Sequence, residues 1–472
     1  MEKNIRETLS VGQKVNLTIE KIIFGGEGLG HYEGITVFVP MSIPGEELEI
    51  EIISIKKSYA RGLITKIIVP SKDRVEDLSK VSFEDFDGCD FGMLKYEKQL
   101  EFKDQITLET IEKISGLEIR NKYENIIGSE FNKNYRNKTS EPIFKESGVI
   151  KTGFYSKKSH NMFEATESIL KSKIAEEVTR ELLTKINALG TGNNAFKVYN
   201  EANNSGFLKH IIIRNNEKND VMIIVVIHKK SQLKNLLQIL EDMYKAKEEI
   251  KSVYISLKEE ANNIDSIFTI SGYSEELRHY FGAKYIEEEI EGLKFKIYPD
   301  SFFQVNKKQA EKLYNKAIEF FGEIEDKTIV DAFSGTGTIG MLLAKKAKNV
   351  IGIESIESSV MSAKESALEN NIENIKFICG KVEKEFSKVM KSEKIDGVIF
   401  DPPRKGIDEK VLNVLKENRV PSLVYISCNP STFARDAKIL DDLGYELEKI
   451  ASVDMFSQTH HIEVVAKFVD KK

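Results

Sequence analysis

The sequence predicts a multidomain protein in which a small β-barrel precedes a mixed α/β central region and a C-terminal α/β unit of the Rossmann-like type. Two patterns support this prediction. Short strand-like runs separated by glycine-rich turns fill the first part of the chain, and from about residue 296 helix-like segments alternate with short apolar strands. Such alternation is typical of a parallel sheet with helices on both faces. We therefore predict domains at 1–69, 70–295 and 296–472.

The first domain contains strand-like runs at 15–23, 35–40, 47–55 and 62–69, separated by turn-like segments at 25–30 and 43–47. Short strands with glycine-rich corners favour a barrel of the oligonucleotide-binding type. The strands alone are equally compatible with a barrel that binds no ligand. The region also resembles a TRAM domain, an RNA-binding barrel often attached to RNA-modifying enzymes. That resemblance is carried by Phe24, Gly25, Gly26, Gly28, Gly30, Val37, Phe38, Val39, Pro40, Pro44, Gly45 and Glu46.

The central region has long helical patterns at 95–114, 163–189 and 231–247, and strand-like stretches at 208–214, 221–228 and 252–257. Its segment 131–160 combines seven basic residues with two acidic ones and five aromatic ones. Basic side chains neutralise phosphates and aromatic faces stack on unpaired bases, so this mixture suits loop RNA. Taken alone, the segment more simply predicts a solvated surface, and the net charge of −6 argues mildly against a nucleic-acid partner.

Composition excludes several classes of protein. With 41% hydrophobic and 31% charged residues, the chain has the composition of a globular protein. No apolar run approaches the roughly 20 residues that a membrane span needs, and the charged N-terminus lacks the apolar core of a signal peptide. We therefore expect a cytoplasmic protein without a membrane partner. Three cysteines, Cys89, Cys379 and Cys428, form neither a disulfide framework nor a zinc pattern.

Five apolar strands are predicted in the C-terminal domain, at 328–333, 350–354, 376–380, 397–401 and 423–427. Two more, at 445–453 and 462–468, follow without a long helix between them, so we expect an antiparallel hairpin at one edge of the sheet. A parallel sheet closed by such a hairpin is the architecture of the methyltransferase fold rather than of a dehydrogenase.

Three motifs follow these strands, where open α/β sheets bind ligands. Asp331–Gly340 contains Gly335, Gly337 and Gly340, which permit a tight turn and a close approach to a nucleoside cofactor, and Glu354 can accept hydrogen bonds from ribose hydroxyls. The second motif, Asp401–Gly406, is a carboxylate followed by two rigid prolines, an element that recurs in enzymes methylating nucleobases. In the third, Tyr425–Asp436, Cys428 stands beside a proline-containing turn as a candidate nucleophile, whereas Cys379 is expected to be an inert core residue.

Together with Ser301–Asn306 and His461–Val465, these motifs resemble, in order, the RNA (uracil-5-)-methyltransferase family, whose members act on ribosomal or transfer RNA. The resemblance implies that S-adenosylmethionine is the cofactor and that Gln304, Phe333, Glu354 and Asp401 contact it, beside the turn at Gly335. It also implies that Cys428 is the nucleophile and Glu463 the general base. Without the family motif, Glu463 would be interpreted as a charge at a strand entrance.

The implied chemistry explains these residue types. Carbon 5 of uracil is a poor nucleophile, and a thiolate that adds to carbon 6 makes it reactive. A base must then remove the carbon 5 proton so that the thiol can leave. Amino-group methylation needs no covalent thiol, which argues against that alternative. A non-catalytic RNA-binding or ribosome-assembly factor on the same scaffold would not need Cys428, Glu463 and Asp401.

Many relatives hold an iron–sulfur cluster on four cysteines just after the TRAM domain, and Cys89 aligns with only one of those ligands. Because such a cluster needs four ligands, we expect none here, and no other metal. We expect RNA as the partner, with 23S ribosomal RNA as the target, the T-loop of transfer RNA as the alternative, and a monomeric enzyme.

Overall fold

The computed structural model describes residues 9–75, 88–155, 162–164, 168–190, 195–258 and 276–471. Two predicted features therefore lie partly outside the described residues: the basic residues Lys157 and Lys158, and the beginning of the helical pattern at 163–189. Among the helices of the described residues, none combines the length and the apolar character that crossing a bilayer requires.

The N-terminal strands close into a barrel. Its members are β1 (Lys14–Ile22), β2 (Glu27–Tyr32), β3 (Ile35–Pro40), β4 (Glu47–Ile55) and β5 (Ala60–Val69), in the order β1-β2-β3-β5-β4. Alternating residues point inward, as in the burial pattern of β1, and pack a core of valine, leucine and isoleucine. Closure removes the exposed sheet edges and confirms the predicted barrel.

The glycine-rich segment 25–30 is mostly strand rather than turn, which corrects the prediction. Gly28 and Gly30 lie in β2, and a Cβ atom on Gly30 would stand 2.5 Å from the Thr18 carbonyl oxygen of β1. Gly28 is similarly close to Ser42 Oγ. These glycines let neighbouring chains approach closely, so their role is in packing as much as in turning.

The central region contains a seven-stranded sheet. The elements from residue 96 to residue 282 are α1 (Tyr96–Ser115), β6 (Tyr123–Ile127), β7 (Lys138–Glu146), β8 (Val149–Tyr155), β9 (Met162–Glu164), α2 (Lys173–Ala188), β10 (Leu208–Asn215), β11 (Val221–Ile227), α3 (Leu233–Ala246), β12 (Ile250–Leu257) and β13 (Glu276–Gly282). The strand order of the sheet is β13-β12-β11-β10-β7-β8-β9. The helix predicted at 163–189 begins only at residue 173, after a short strand. β10 and β11 are buried along their whole length because both sheet faces are covered.

A hairpin of β14 (Ile286–Ile290) and β15 (Leu293–Ile297) joins the central sheet to the C-terminal unit. The next elements are α4 (Lys307–Phe321), β16 (Thr328–Ala332), α5 (Thr338–Ala344), β17 (Asn349–Glu354), α6 (Glu357–Glu369), β18 (Ile375–Cys379), α7 (Val382–Ser392), β19 (Gly397–Phe400), α8 (Glu409–Glu417), β20 (Ser422–Ser427), α9 (Pro430–Asp442), β21 (Tyr445–Val453) and β22 (Glu463–Asp470).

These strands build an eight-stranded sheet in the order β18-β17-β16-β19-β20-β22-β21-β6. Strands β16 to β20 run parallel, and β22 is antiparallel to both β20 and β21. Alternate residues of each strand enter different cores. Ile329 packs with α4, α5 and α6 on one face, whereas Val330 packs with α7, α8 and α9 on the other. The predicted methyltransferase fold is confirmed.

The hairpin of β21 and β22 is not the edge of this sheet, contrary to the prediction. β6 pairs parallel with β21 on its outer side, with Ile126 opposite Ser452. α1 packs with α9 on the same side, so residues 96–127, predicted in the central domain, lie against the C-terminal sheet. An isolated five-residue strand, YENII, carries no alternation that would indicate its partner.

Candidate active site

One cavity of about 980 Å³ opens at the carboxyl ends of the parallel strands. All seven predicted site residues line it: Gln304, Phe333, Gly335, Glu354, Asp401, Cys428 and Glu463. They come from a loop before α4, from the ends of β16, β17 and β19, from the end of β20, and from the start of β22. The cavity is large enough for a nucleoside cofactor together with a nucleobase.

The turn after β16 forms one wall of the cavity. Phe333 adopts φ +71°, which is rare for a residue with a side chain, and both its amide and that of Ser334 donate to the Ile353 carbonyl oxygen at 3.0 Å. Gly335 also has a positive φ and faces open space, so a ligand can approach its backbone. Gly337 is needed for packing, because a Cβ atom there would lie 2.6 Å from the Phe377 ring.

Glu354 ends β17 and is held in place by backbone amides. Its Oε2 accepts a hydrogen bond from Gly335 N at 3.0 Å, and its Oε1 accepts hydrogen bonds from Ile356 N at 2.8 Å and from Ser355 Oγ at 3.1 Å. These bonds use only part of the carboxylate's accepting capacity. The remaining accepting capacity is directed by a rigid side chain, which suits it to a hydrogen bond from a ribose hydroxyl.

The loop that begins at Asp401 is fixed by α9. Asp436, with no solvent exposure, accepts hydrogen bonds from Ile407 N at 2.8 Å and from Tyr425 Oη at 2.7 Å. Gly406 is required here, since a Cβ atom would lie 2.5 Å from the Asp436 carboxylate. The second and third sequence motifs are therefore parts of one rigid structure.

Cys428 occupies the junction between β20 and α9. The next residue, Asn429, caps the helix by accepting a hydrogen bond from Ser431 N at 3.0 Å, and Pro430 takes the first helical position. Cys428 is half-buried and lines the cavity. Burial, chiefly, and the nearby Glu463 raise the pKa of its thiol to about 11, and the Arg404 guanidinium opposes that shift.

The acidic groups of the cavity favour their protonated forms. Burial raises the pKa of Asp401 to about 7. Burial, with a smaller effect from the nearby Asp401 carboxylate, raises the pKa of Glu463 well above its usual range. Arg404 acts in the opposite direction on Glu463. No described side chain donates a hydrogen bond to Glu463, which is 4% exposed. Its carboxyl group is thus available to a ligand.

The segment that carries Gln304 is anchored to the central sheet. Asn137 donates from its side chain to the Gln304 carbonyl oxygen at 3.1 Å and from its backbone to the Val305 carbonyl oxygen at 3.0 Å. The buried Arg214 of β10 donates to the Ser301 carbonyl oxygen at 2.5 Å. The central domain therefore helps to shape the catalytic cavity.

Sequence reasoning missed several lining residues. Three of them, Phe302, Arg404 and His461, lie within the sequence motifs, which by themselves predict no role for these side chains. Tyr314 and Phe456 belong to no sequence motif. Phe302 is 71% exposed at the cavity mouth. Tyr314 is buried on α4, and both Asp401 and Glu463 add to the effect of burial in raising its pKa.

The aromatic residues of segment 131–160 have different environments. Phe131 is 54% exposed and lies against the Lys308 ammonium group, 4.1 Å from the ring centroid. Phe144 is buried, and Tyr135 donates a hydrogen bond to the Ser457 carbonyl oxygen. Only part of the predicted basic and aromatic mixture therefore faces solvent.

Features of the cavity fit S-adenosylmethionine. Gly335 leaves room at the backbone, Glu354 is directed for ribose binding, and the buried Ser334 Oγ has no hydrogen-bond partner within the described residues. Such a polar atom needs a partner that a bound ligand can provide. Fold and cavity together define the protein as an S-adenosylmethionine-dependent methyltransferase.

Comparison with known proteins gives the family. The family model of tRNA (uracil-5-)-methyltransferases matches residues 96–471, and that of the TRAM domain matches residues 9–65. The chain belongs to the RNA (uracil-5-)-methyltransferase family. It is 48% identical to an uncharacterized RNA methyltransferase of Fusobacterium nucleatum, over 97% of this chain and 96% of the relative, and 34% identical to one of Clostridium tetani, over 95% of each.

A solved structure agrees with this assignment. The tRNA (uracil-54, C5)-methyltransferase of Pyrococcus abyssi, in complex with S-adenosyl-L-homocysteine, is 28% identical and superimposes with a TM-score of 0.74. The match covers 96% of this chain and the whole of the archaeal chain. The chain is thus an enzyme that uses S-adenosylmethionine and acts on RNA.

Proposed function

We propose that the enzyme methylates carbon 5 of a uridine in structured RNA through a covalent bond between Cys428 Sγ and carbon 6, with Glu463 as general base. The observation that carries the proposal is the meeting of a thiol and an unpaired buried carboxyl group in one cavity with the residues suited to the cofactor. Gln304, Phe333, Gly335, Glu354 and Asp401 would contact that cofactor.

The steps follow from the chemistry of the two groups. Cys428 loses its proton to water, and its thiolate adds to carbon 6 while the electrons of the 5,6 double bond move into an enolate. Carbon 5 then takes the methyl group that S-adenosylmethionine supplies. Glu463 removes the proton from carbon 5, and the electrons of that bond restore the double bond and expel the thiolate. Arg404 favours the first step, because its charge stabilises the thiolate.

Two variants separate the halves of this mechanism. Cys428→Ala should abolish methyl transfer but still bind cofactor and RNA, since nothing can proceed without the first addition. Glu463→Gln should stop after methylation, because a nearly isosteric amide cannot accept the carbon 5 proton. A denaturing gel with methyl-labelled cofactor should then reveal RNA joined to the protein, and the adduct should vanish in the double variant.

The outcomes that contradict this mechanism are distinct. Residual turnover of Cys428→Ala within about tenfold of wild type, or roughly 1.4 kcal/mol in the barrier, is incompatible with covalent catalysis. A Glu463→Gln enzyme that turns over normally would exclude the assigned base. An inactive Glu463→Gln enzyme without an adduct would assign that carboxyl group a structural role.

For the RNA, we propose 23S ribosomal RNA as the target. The T-loop of transfer RNA is the second candidate, because the archaeal relative is named for uracil 54 of transfer RNA. Mapping 5-methyluridine in RNA from cells with and without the gene distinguishes the two. Loss of the modification from 23S RNA alone supports the first target, and loss from the T-loop alone replaces it by the second.

A further inference from the structure

The segment between β21 and β22, residues 454–461, has the burial of a core although it is irregular. Asp454 and Ser457 have no solvent exposure, and Thr459 and Gln458 are 1% and 4% exposed. Connecting segments usually lie on the surface, because their polar groups need partners. Gln458 also adopts φ +69°, the left-handed conformation that a side chain disfavours. Something outside the segment must therefore hold it.

Several residues from the N-terminal half of the chain do so, and we name three of them, Asp90, Gln99 and Lys103, the loop clamp. Gln99 exchanges two hydrogen bonds with Gln458: its Nε2 donates to the Gln458 side-chain oxygen at 2.8 Å, and its Oε1 accepts from the Gln458 backbone N at 2.9 Å. This pairing fixes both the backbone and the side chain of the residue in the left-handed conformation.

Lys103 and Asp90 hold the two ends of the segment. Lys103 Nζ lies 2.5 Å from Asp454 Oδ1, both side chains being fully buried, and it donates to the Phe456 carbonyl oxygen at 3.0 Å. Asp90 Oδ1 accepts from His460 N at 2.8 Å, and its Oδ2 lies 2.5 Å from His460 Nδ1. The clamp thus contacts the segment at its beginning, middle and end.

The segment leads directly to the residue proposed as general base. Glu463 is the first residue of β22 and pairs with Val453, the last residue of β21. His461, the last residue of the segment, lines the catalytic cavity. Because no described side chain donates a hydrogen bond to Glu463, its position depends on its backbone, which is held by the pairing with Val453 and by the segment that leads into β22.

We propose that the loop clamp positions Glu463 for removal of the carbon 5 proton; this inference rests on the proposed function. Stability alone would not require these groups, since replacing a buried ion pair by apolar residues is often neutral or stabilising. Directional hydrogen bonds instead select one conformation of an irregular segment. Asp90, Gln99 and Lys103 are positioning residues, because they act through the segment and line no part of the cavity.

The test measures the lifetime of the covalent adduct in the full-length protein. The substrate is bulk RNA from cells lacking the gene, with methyl-labelled S-adenosylmethionine in a single turnover. Gln99→Met removes both hydrogen bonds to Gln458 at similar volume. Methyl transfer should stay within about twofold of wild type, while adduct release slows roughly 10- to 100-fold, as expected for a misplaced catalytic group. Labelled protein–RNA adduct should therefore accumulate on a denaturing gel.

A second variant and a control keep this result interpretable. Asp90→Asn should lengthen the adduct lifetime in the same direction by a smaller factor, and it decides the matter where Gln99→Met does not fold. Asn187→Leu is the matched control, because Asn187 also exchanges two hydrogen bonds, at 2.9 and 2.8 Å, with a distant segment at Ile150. It should lower the melting temperature without changing the adduct lifetime.

Two results would overturn the proposal. Either folded Gln99→Met and Asp90→Asn release the adduct as fast as wild type, or Asn187→Leu slows release as much as they do. Both differ from failure of the proposed function, in which Cys428→Ala would still transfer methyl groups and wild type would form no adduct at all.

Discussion

Cys428, Glu463 and Asp401 share one cavity, and burial raises the pKa of all three. Few charges in the cavity oppose this effect of burial. Among the charged groups that shift the pKa of Cys428 and Glu463, Arg404 alone favours their ionised forms. The free enzyme therefore keeps its thiol protonated at neutral pH. Nucleophile and base become active only when a proton leaves, which protects the thiol from reaction in the absence of substrate.

The first prediction at this scale concerns thiol reactivity. Alkylation of Cys428 by iodoacetamide should accelerate about tenfold per pH unit between pH 7 and 9, because that range lies below the pKa of about 11. At a pH high enough to ionise Glu463, Glu463→Gln should make Cys428 react faster, since it removes a negative charge that raises the thiol pKa. Peptide mass spectrometry measures both rates, with the exposed Cys379 as internal reference. A Cys428 rate that levels off below pH 8 would contradict the assignment.

A second residue-scale prediction uses Asp331. This side chain has no solvent exposure, and burial, together with Asp401, raises its pKa to about 8. The folded state therefore retains a proton on Asp331 that the unfolded state releases near pH 4. The contribution of this group to the free energy of unfolding is complete below pH 4 and is lost as the pH rises towards 8. Asp331→Asn cannot ionise, and its melting temperature should fall less than that of wild type between pH 5 and 9. Parallel melting curves would refute this explanation.

At the scale of elements, most strands could be predicted because the apolar residues in their sequences reflect their burial. The apolar runs of β10, β11 and the parallel strands β16 to β20 lie within two residues of the predicted bounds. β2 was missed because Gly28 and Gly30 provide close approach to their neighbours instead of apolar side chains. β6 was missed because its partner β21 lies more than 300 residues away and leaves no local pattern.

The residues of the site also divide into those that the sequence could predict and those that it could not. Gln304, Glu354, Asp401 and Cys428 could be found because each ends a strand or stands in a motif with fixed spacing. Tyr314 and Phe456 could not, since they reach the cavity only through the packing of α4 and of segment 454–461. Tertiary contacts, rather than local sequence, place such residues.

The barrel leads to a prediction about RNA binding. Tyr59 and Phe38 meet edge to face at 5.2 Å between centroids, and the Arg61 guanidinium lies 5.5 Å from the Tyr59 ring. All three side chains are partly exposed and suit base stacking. Tyr59→Ala should weaken RNA binding roughly tenfold in a filter-binding assay, while affinity for S-adenosylmethionine stays unchanged. Tyr59→Phe should bind normally; equal losses in both variants would exclude stacking.

At the scale of the whole molecule, the three cysteines lie in three different environments. Cys89 packs in the core of the barrel, and Cys428 lines the cavity. Cys379 is exposed at the end of β18, which corrects the prediction of a core residue, because it ends an edge strand that is only partly covered. We predict that protein purified without oxygen contains no stoichiometric iron or sulfide, because a cluster needs four ligands. Elemental analysis tests this directly. Iron and sulfide near one cluster per chain would contradict the prediction.

The pairing of β6 with β21 has a consequence for folding during synthesis on the ribosome. Lys122, beside β6, meets Glu446 of β21 across 324 residues, and Leu108 and Ile111 of α1 enter the same core as α9. On a ribosome that adds about 5–20 residues per second, α1 waits roughly 15–65 seconds for these partners. The central sheet, whose strands are synthesised in that interval, can fold first. Meanwhile the apolar face of α1 stays uncovered, which makes it a natural binding site for chaperones on the nascent chain.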